Sequence, residues 1–221
     1  MFQRILFAFV AVAATASLLA AAPKLSAKPV GSEVQFVRSI QADLMRRFPT
    51  AADAEKAGYV RFTYEDSTGS ISYANRQWQS SDPQHPSQLW YDVNGSLLGA
   101  DFSVLQANSP KAPNLWGVNP ARWITFRAHV HYVTIDPQTK QPAYGGIRMS
   151  RFTAAGGDPA NPTAQALVKA GVVKDASSVQ TVFTFPAIWD LIVWVKPNPN
   201  GAFAEKNPNV IPSKNAEKDS M

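Results

Sequence analysis

Two histidines, His129 and His131, stand two positions apart in a long β-prone run, Trp123-Ile-Thr-Phe-Arg-Ala-His-Val-His-Tyr-Val-Thr-Ile135. Side chains alternate across a strand. Thr125, Arg127, His129, His131 and Val133 are therefore expected on one face, and Phe126, Ala128, Val130 and Tyr132 on the other. Neighbours on one face lie about 7 Å apart. That spacing lets the imidazoles hold one metal ion, or lets them join the Arg127 guanidinium around one anionic ligand. A divalent metal bound by nitrogen and oxygen needs at least one more side chain, for which His85, Asp92, Asp101 and Asp190 are candidates. The His-x-His pattern of a cupin-like barrel continues to a glutamate. Here Tyr132-Val-Thr-Ile-Asp136 follows, so that motif is incomplete. Arg127 beside the pair favours a carboxylate or phosphate over a cation. The plainer alternative is that both histidines are half-buried sheet residues bonded to their neighbours.

Other chemistry-bearing residues are sparse. Asp190 follows Trp189 at the start of an apolar run, and if buried it requires a partner such as an arginine or histidine. Asp92 and Asp101 flank Asn94-Gly95 and read as solvated turn residues rather than a catalytic pair. There is no Gly-x-Ser-x-Gly elbow, and Gly69-Ser-Ile-Ser and Gly156-Gly157-Asp158 lack phosphate-cradle spacing. The tryptophans are core residues or the walls of a pocket.

The elements that position these residues are legible in part. Val34, Phe36, Val37, Ile40, Leu44 and Met45 recur at helical spacing, with Ser32 as N-cap, Glu33 in the first turn and Arg46-Arg47 in the last, and Pro49 beyond. Thr50 caps a shorter helix over 51–56 that Gly58 stops. Tyr59–Tyr64 alternates as a strand, with 69–75 as its hairpin partner and 77–87 as a polar loop. Gln88–Leu105 reads as a hairpin around Asn94-Gly95, a dipeptide suited to a type I′ turn. After the 123–135 strand, Asp136-Pro137 turns the chain and 143–149 returns, with Gly145-Gly146 allowing a bulge or close backbone approach. Residues 151–162 form a Gly/Pro loop and 163–170 a short helix. Val179–Phe185 and Leu191–Val195 are strands separated by Pro186. Helices in front and hairpin-connected strands behind predict an α+β domain with a mainly antiparallel sheet.

Met1-Phe2-Gln3-Arg4 followed by the apolar run Ile5–Ala22 has the n-region and h-region of a secretory signal, with Ala20 and Ala22 marking the cleavage zone. An uncleaved membrane anchor is the alternative. The expected organisation is a signal over 1–22, a linker over 23–31, one domain over 32–211 that includes an extended C-terminal arm, and a disordered tail over 212–221. The destination is the periplasm or the medium. Hydrophobic residues make up 45% of the 221-residue chain and charged residues 17%, which supplies a core and excludes wholesale disorder. Without cysteine, disulfides, thiolate metal sites and a lipoprotein anchor are excluded. The net charge of +5 comes from scattered Lys and Arg with no basic stripe, so nucleic-acid binding has no support, and nothing beyond the signal segment points to a membrane.

The closing segment Ile192-Val-Trp-Val-Lys-Pro-Asn-Pro-Asn-Gly-Ala-Phe-Ala-Glu-Lys-Asn-Pro-Asn-Val210 resembles the ending of a group of uncharacterised exported bacterial proteins that finish with Asn-Pro-x-Gly-x-Phe-Ala-x-x-Asn-Pro-x-Val. Tyr73-Ala-Asn75, Pro86-Ser-Gln-Leu-Trp-Tyr91 and Leu97-Leu-Gly-Ala-Asp-Phe102 are similar too. Many members carry Gly-Met-Gly-Tyr-His where this chain has Gly69-Ser-Ile-Ser-Tyr73, without histidine. The resemblance implies export and brings no known activity with it. The expectation is a non-enzymatic binding module taking a small anion or metal near Arg127, His129, His131 and Asp190. The alternatives are a hydrolase or isomerase with a histidine base, and an envelope interaction protein.

Overall fold

The computed structural model describes residues 25–75, 81–135, 138 and 142–216. The expected signal over 1–22, the expected Asp136-Pro137 turn, part of the expected 77–87 loop and the end of the expected tail lie outside them. Among the described residues the fold is α+β and its sheets are antiparallel, and no helix is long and apolar enough to cross a membrane.

Helix α1 (Ser32–Arg47) buries Phe36, Val37, Ile40 and Leu44, as its spacing predicts. Its N-cap is Gly31 rather than Ser32. Gly31 takes a left-handed φ of 56°, and the Glu33 carboxylate accepts from the Val30 N–H at 3.0 Å. Ser32 Oγ instead donates to the Gly117 carbonyl. Helix α2 (Ala51–Lys56) is capped by Thr50, whose side chain accepts from the Asp53 N–H.

Six strands form the first sheet in the order β1-β2-β3-β4-β9-β5: β1 (Val60–Arg61), β2 (Ile71–Ala74), β3 (Gln88–Tyr91), β4 (Leu97–Leu105), β5 (Ile124–Phe126) and β9 (Ile188–Trp194). One face packs on α1 and α2 through Leu89, Tyr91, Ala100, Phe102, Leu191 and Val193, which is hydrophobic-in alternation over three central strands. The β3–β4 turn is not type I′. Of Asn94 and Gly95 only Gly95 has positive φ, and Asp92 Oδ1 secures the loop by accepting from the Asn94 and Ser96 N–H groups.

The second sheet, β7-β6-β8, contains β6 (His129–Ile135), β7 (Pro142–Arg148) and β8 (Val179–Phe185). Its outer face packs Val130, Ile147 and Tyr132 against Phe152 of α3 (Met149–Ala154) and Leu167 of α4 (Ala164–Lys169). Helix α3 occupies the start of the expected 151–162 loop, because Phe152 inserts completely into this core. Gly145 lies under the Tyr132 ring, and a Cβ there would come within 2.3 Å of it.

The expected 123–135 strand is two strands in two sheets. Phe126 pairs with Ile188 at the edge of the first sheet, while His129 pairs with Phe185 in the second. The partner chain breaks at the same level, since β8 ends at Phe185 and β9 begins at Ile188 across Pro186. One antiparallel ribbon therefore bends at Arg127-Ala128 and Pro186-Ala187 and serves both sheets, the corner construction by which strands switch sheets. The helical layers lie outside, and a cavity opens between the sheets.

Residues 25–31 are docked rather than a free linker. Arg122 is ion-paired with Glu33 at 2.8 Å, and its guanidinium also donates to the carbonyls of Ser26 and Lys28. The C-terminal arm packs too. Trp194 N–H donates to Ala202 O, the Trp194 indole donates to Ala204 O, and Val210 is buried against Trp90, Leu98 and Trp194.

Candidate functional site

The cavity between the sheets has a volume of about 320 Å³. The ribbon's bend supplies one side, through Phe126, His129, His131, Phe185 and Ile188. The first sheet supplies the other with the face that does not meet α1, including Trp90, Asp101, Asp190 and Trp194. The lining combines aromatic rings with carboxyls. Among the described residues lining it there is no lysine or arginine.

On the β6 wall the two imidazoles meet, with Nε2 of His129 2.9 Å from Nε2 of His131. His129 Nδ1 lies 2.8 Å from the Arg127 carbonyl, and a carbonyl only accepts, so Nδ1 carries a proton. His131 stacks on Phe183 with centroids 5.5 Å apart and meets Phe62 edge-on at 5.9 Å. Burial, followed by the proximity of His129, lowers the His131 pKa to about 4 against an opposing backbone hydrogen bond to Gly145. His131 is therefore neutral at pH 7. Arg127 does not join the pair as expected. It sits in the bend with its side chain exposed and does not line the cavity. Its contribution is its carbonyl.

The opposite wall holds a pair of acids. Asp101 on β4 and Asp190 on β9 face the same side of adjacent antiparallel strands, one register step apart, and are 6% and 2% exposed. Among the described residues Asp190 has neither arginine nor histidine as partner. Its Oδ1 accepts from Ser103 Oγ at 2.9 Å, and Ser103 is linked to Ser87 Oγ at 2.6 Å. Asp101 Oδ2 accepts from the Trp90 indole at 3.0 Å, while Asp101 Oδ1 is buried with no donor among the described residues. Burial, then the charge of Asp190, drives the Asp101 pKa well above the carboxylate range. Burial raises Asp190 to about 6 against the hydrogen bonds from Asp101 and Ser103. Two buried carboxyls on adjacent strands disfavour ionising together, so the pair favours retaining a proton. The carboxyls stand on β4 and β9 and the imidazoles on β6, so they occupy separate walls.

The remaining candidates fall elsewhere. His85 Nδ1 lies 2.8 Å from Asp82 Oδ2 on an exposed loop, and Asp92 is a turn residue. Among the described residues no group of three or more His, Cys, Asp or Glu is placed to hold a metal ion. Asp101 is the residue that reading the chain misassigned. A signal for it existed: Asp101 and Ser103 share one face of β4, opposite Ala100, Phe102 and Val104, too deep in a nine-residue strand to belong to the turn. No family model, curated protein or solved structure matches the chain.

Proposed function

We propose that this is an exported, non-enzymatic binding protein that takes a small molecule into the cavity between its two sheets. The observation that carries the reading is the cavity itself: about 320 Å³, walled by Trp90, Trp194, Phe126 and Phe185 with polar groups on both sides. An apolar concavity with a few convergent polar groups is the usual form of a small-ligand site. Export to the periplasm or medium rests on residues 1–22 and on the likeness of the C-terminal segment to exported proteins. The absence of Lys and Arg from the described lining turns the reading away from a small anion.

A histidine-base enzyme is less well supported. A general base works best with a pKa near the working pH, and His131 lies well below it at about 4. The group orienting His129 is a carbonyl rather than a carboxylate. The second reading is a divalent metal held by His129 and His131, favoured by the convergence of their Nε2 atoms to 2.9 Å. Two nitrogens leave the other coordination positions to a ligand or water.

Thermal-shift screening of the purified protein against amines, alcohols, carboxylates and divalent metals tests both readings, because a ligand specific to the folded state raises Tm by mass action. The expected result is a shift with an organic compound that Ser72→Phe, on the cavity wall, abolishes. Shifts that survive Ser72→Phe would move the site elsewhere, and a shift with metal alone that His131→Phe removes would select the metal reading.

A further inference from the structure

Four carboxyls line the cavity: Asp66, Asp101, Asp190 and Glu205. Two of them have other employment. Asp66 Oδ1 accepts from the N–H groups of Thr68 and Ser70 and organises the β1–β2 loop, and Glu205 is exposed at the rim. Asp101 and Asp190 are different. They are buried and adjacent, and among the described residues their hydrogen-bond donors are neutral, the Trp90 indole and the Ser103 hydroxyl.

Two acceptor carboxyls side by side need a proton between them, and Asp101 Oδ1, buried with no donor, is the atom left to take part. One shared proton leaves one negative charge in the wall. A buried charge without a counter-charge is costly, and ordinarily a basic side chain supplies the partner. Here none of the described lysines or arginines lines the cavity, and the two imidazoles stand on the other wall. The same space is flanked by Trp90, Trp194, Phe126 and Phe185. Aromatic faces attract cations through their quadrupole, most strongly where water is excluded. Negative charge in the wall and aromatic rings beside it suit an ammonium group and repel a carboxylate or phosphate.

We propose that the cavity selects an organic cation, a small molecule with an ammonium group on an apolar body, and that the Asp101–Asp190 pair is its counter-charge. The proposal rests on the cavity being the ligand site and names the ligand class. It makes the proton-sharing pair a binding element whose single charge is held between the two carboxyls. Asn in place of Asp101 keeps a donor toward Asp190 and an acceptor for Trp90, so Asp101→Asn preserves the charge, while Asp101→Asn with Asp190→Asn removes it without changing shape.

The test is calorimetric titration of the purified protein with benzylammonium, benzyl alcohol and benzoate, which share one ring and differ in charge. The expected order is benzylammonium tightest, by about tenfold over the alcohol, with benzoate not binding. Asp101→Asn should retain that preference and the double variant lose it while still binding benzyl alcohol, which also establishes that the double variant is folded. Equal or tighter binding of the alcohol, or a cation preference that persists in the double variant, would overturn the cation inference and leave the cavity reading intact. Absence of heat from all three probes, with no Tm shift from any amine, alcohol or carboxylate, would overturn both.

Discussion

At the scale of single residues, the Asp101–Asp190 pair carries a pH signature with a definite sign. Burial raises both acids, so between the unfolded aspartate pKa of about 3.9 and the folded value of about 6 for Asp190 the native state holds protons that the unfolded chain has released. Their contribution to stability is complete below that window and declines as pH rises through it. His131 acts oppositely. Its folded pKa of about 4 means that the unfolded chain binds the extra proton, so stability is lost as pH falls from the ordinary histidine range toward 4. Asp190→Asn removes the share of the first effect that belongs to Asp190 and leaves the second. Urea midpoints between pH 4 and pH 7 should therefore climb more steeply with pH in Asp190→Asn than in the unaltered protein, and parallel profiles would mean that Asp190 titrates normally. Asp101 escaped a reading of the chain because an acid six residues after a hairpin turn looks solvated until the neighbouring strand is known. That strand is β9, and it comes from nearly a hundred residues away.

At the scale of elements, the bent ribbon sets the distance between the walls, and two contacts hold it in shape. Gly145 gives Tyr132 room on the outer face of the second sheet. Gly145→Ala would drive a methyl into the ring and should cost about 1–3 kcal/mol, measured as a lower denaturation midpoint with an unchanged slope. Arg122 secures the other end. Burial alone would raise Glu33, yet hydrogen bonds from Arg122 and from the Val30 and Asn119 N–H groups hold its carboxyl below the usual range. Arg122→Ala leaves Glu33 charged and buried without its partner, and frees the carbonyls of Ser26 and Lys28. The expected loss is about 3–5 kcal/mol, read from urea unfolding; a loss within the range of an exposed pair would mean that water enters behind the side chain. Helices α1, α2 and α4 were legible from apolar spacing, the Thr50 cap and the glycines at 58 and 171, because those signals are local. The division of 123–135 between two sheets was not. Its alternation is compatible with one straight strand, and only the matching break at Pro186 in the partner strand requires the bend.

At the scale of the whole molecule, the ends of the described chain are fastened to each other. Phe203 N–H donates to Ala27 O, Gly201 passes so close to Ala27 that a Cβ would sit 2.3 Å from its carbonyl oxygen, and Phe203 lies under the Arg122 guanidinium. Hydrogen exchange should find the amides of Phe203 and Val210 protected and those of residues 214–216 fast; fast exchange at Phe203 would mean that the arm does not stay docked. Truncation after Lys196 should redden Trp194 fluorescence, since Ala204 and Val210 cover that indole. Composition and local pattern determined that this chain has a core, an α+β architecture with antiparallel strands, capped helices and no cysteine chemistry, because each depends on residues near one another in sequence. Tertiary structure alone decided that Arg127 turns away from the histidines, that Asp190 meets another acid, and that aromatic rings close around both walls. Those are outcomes of long-range strand pairing, and a pairing partner a hundred residues distant leaves no mark on the local spacing that a sequence displays.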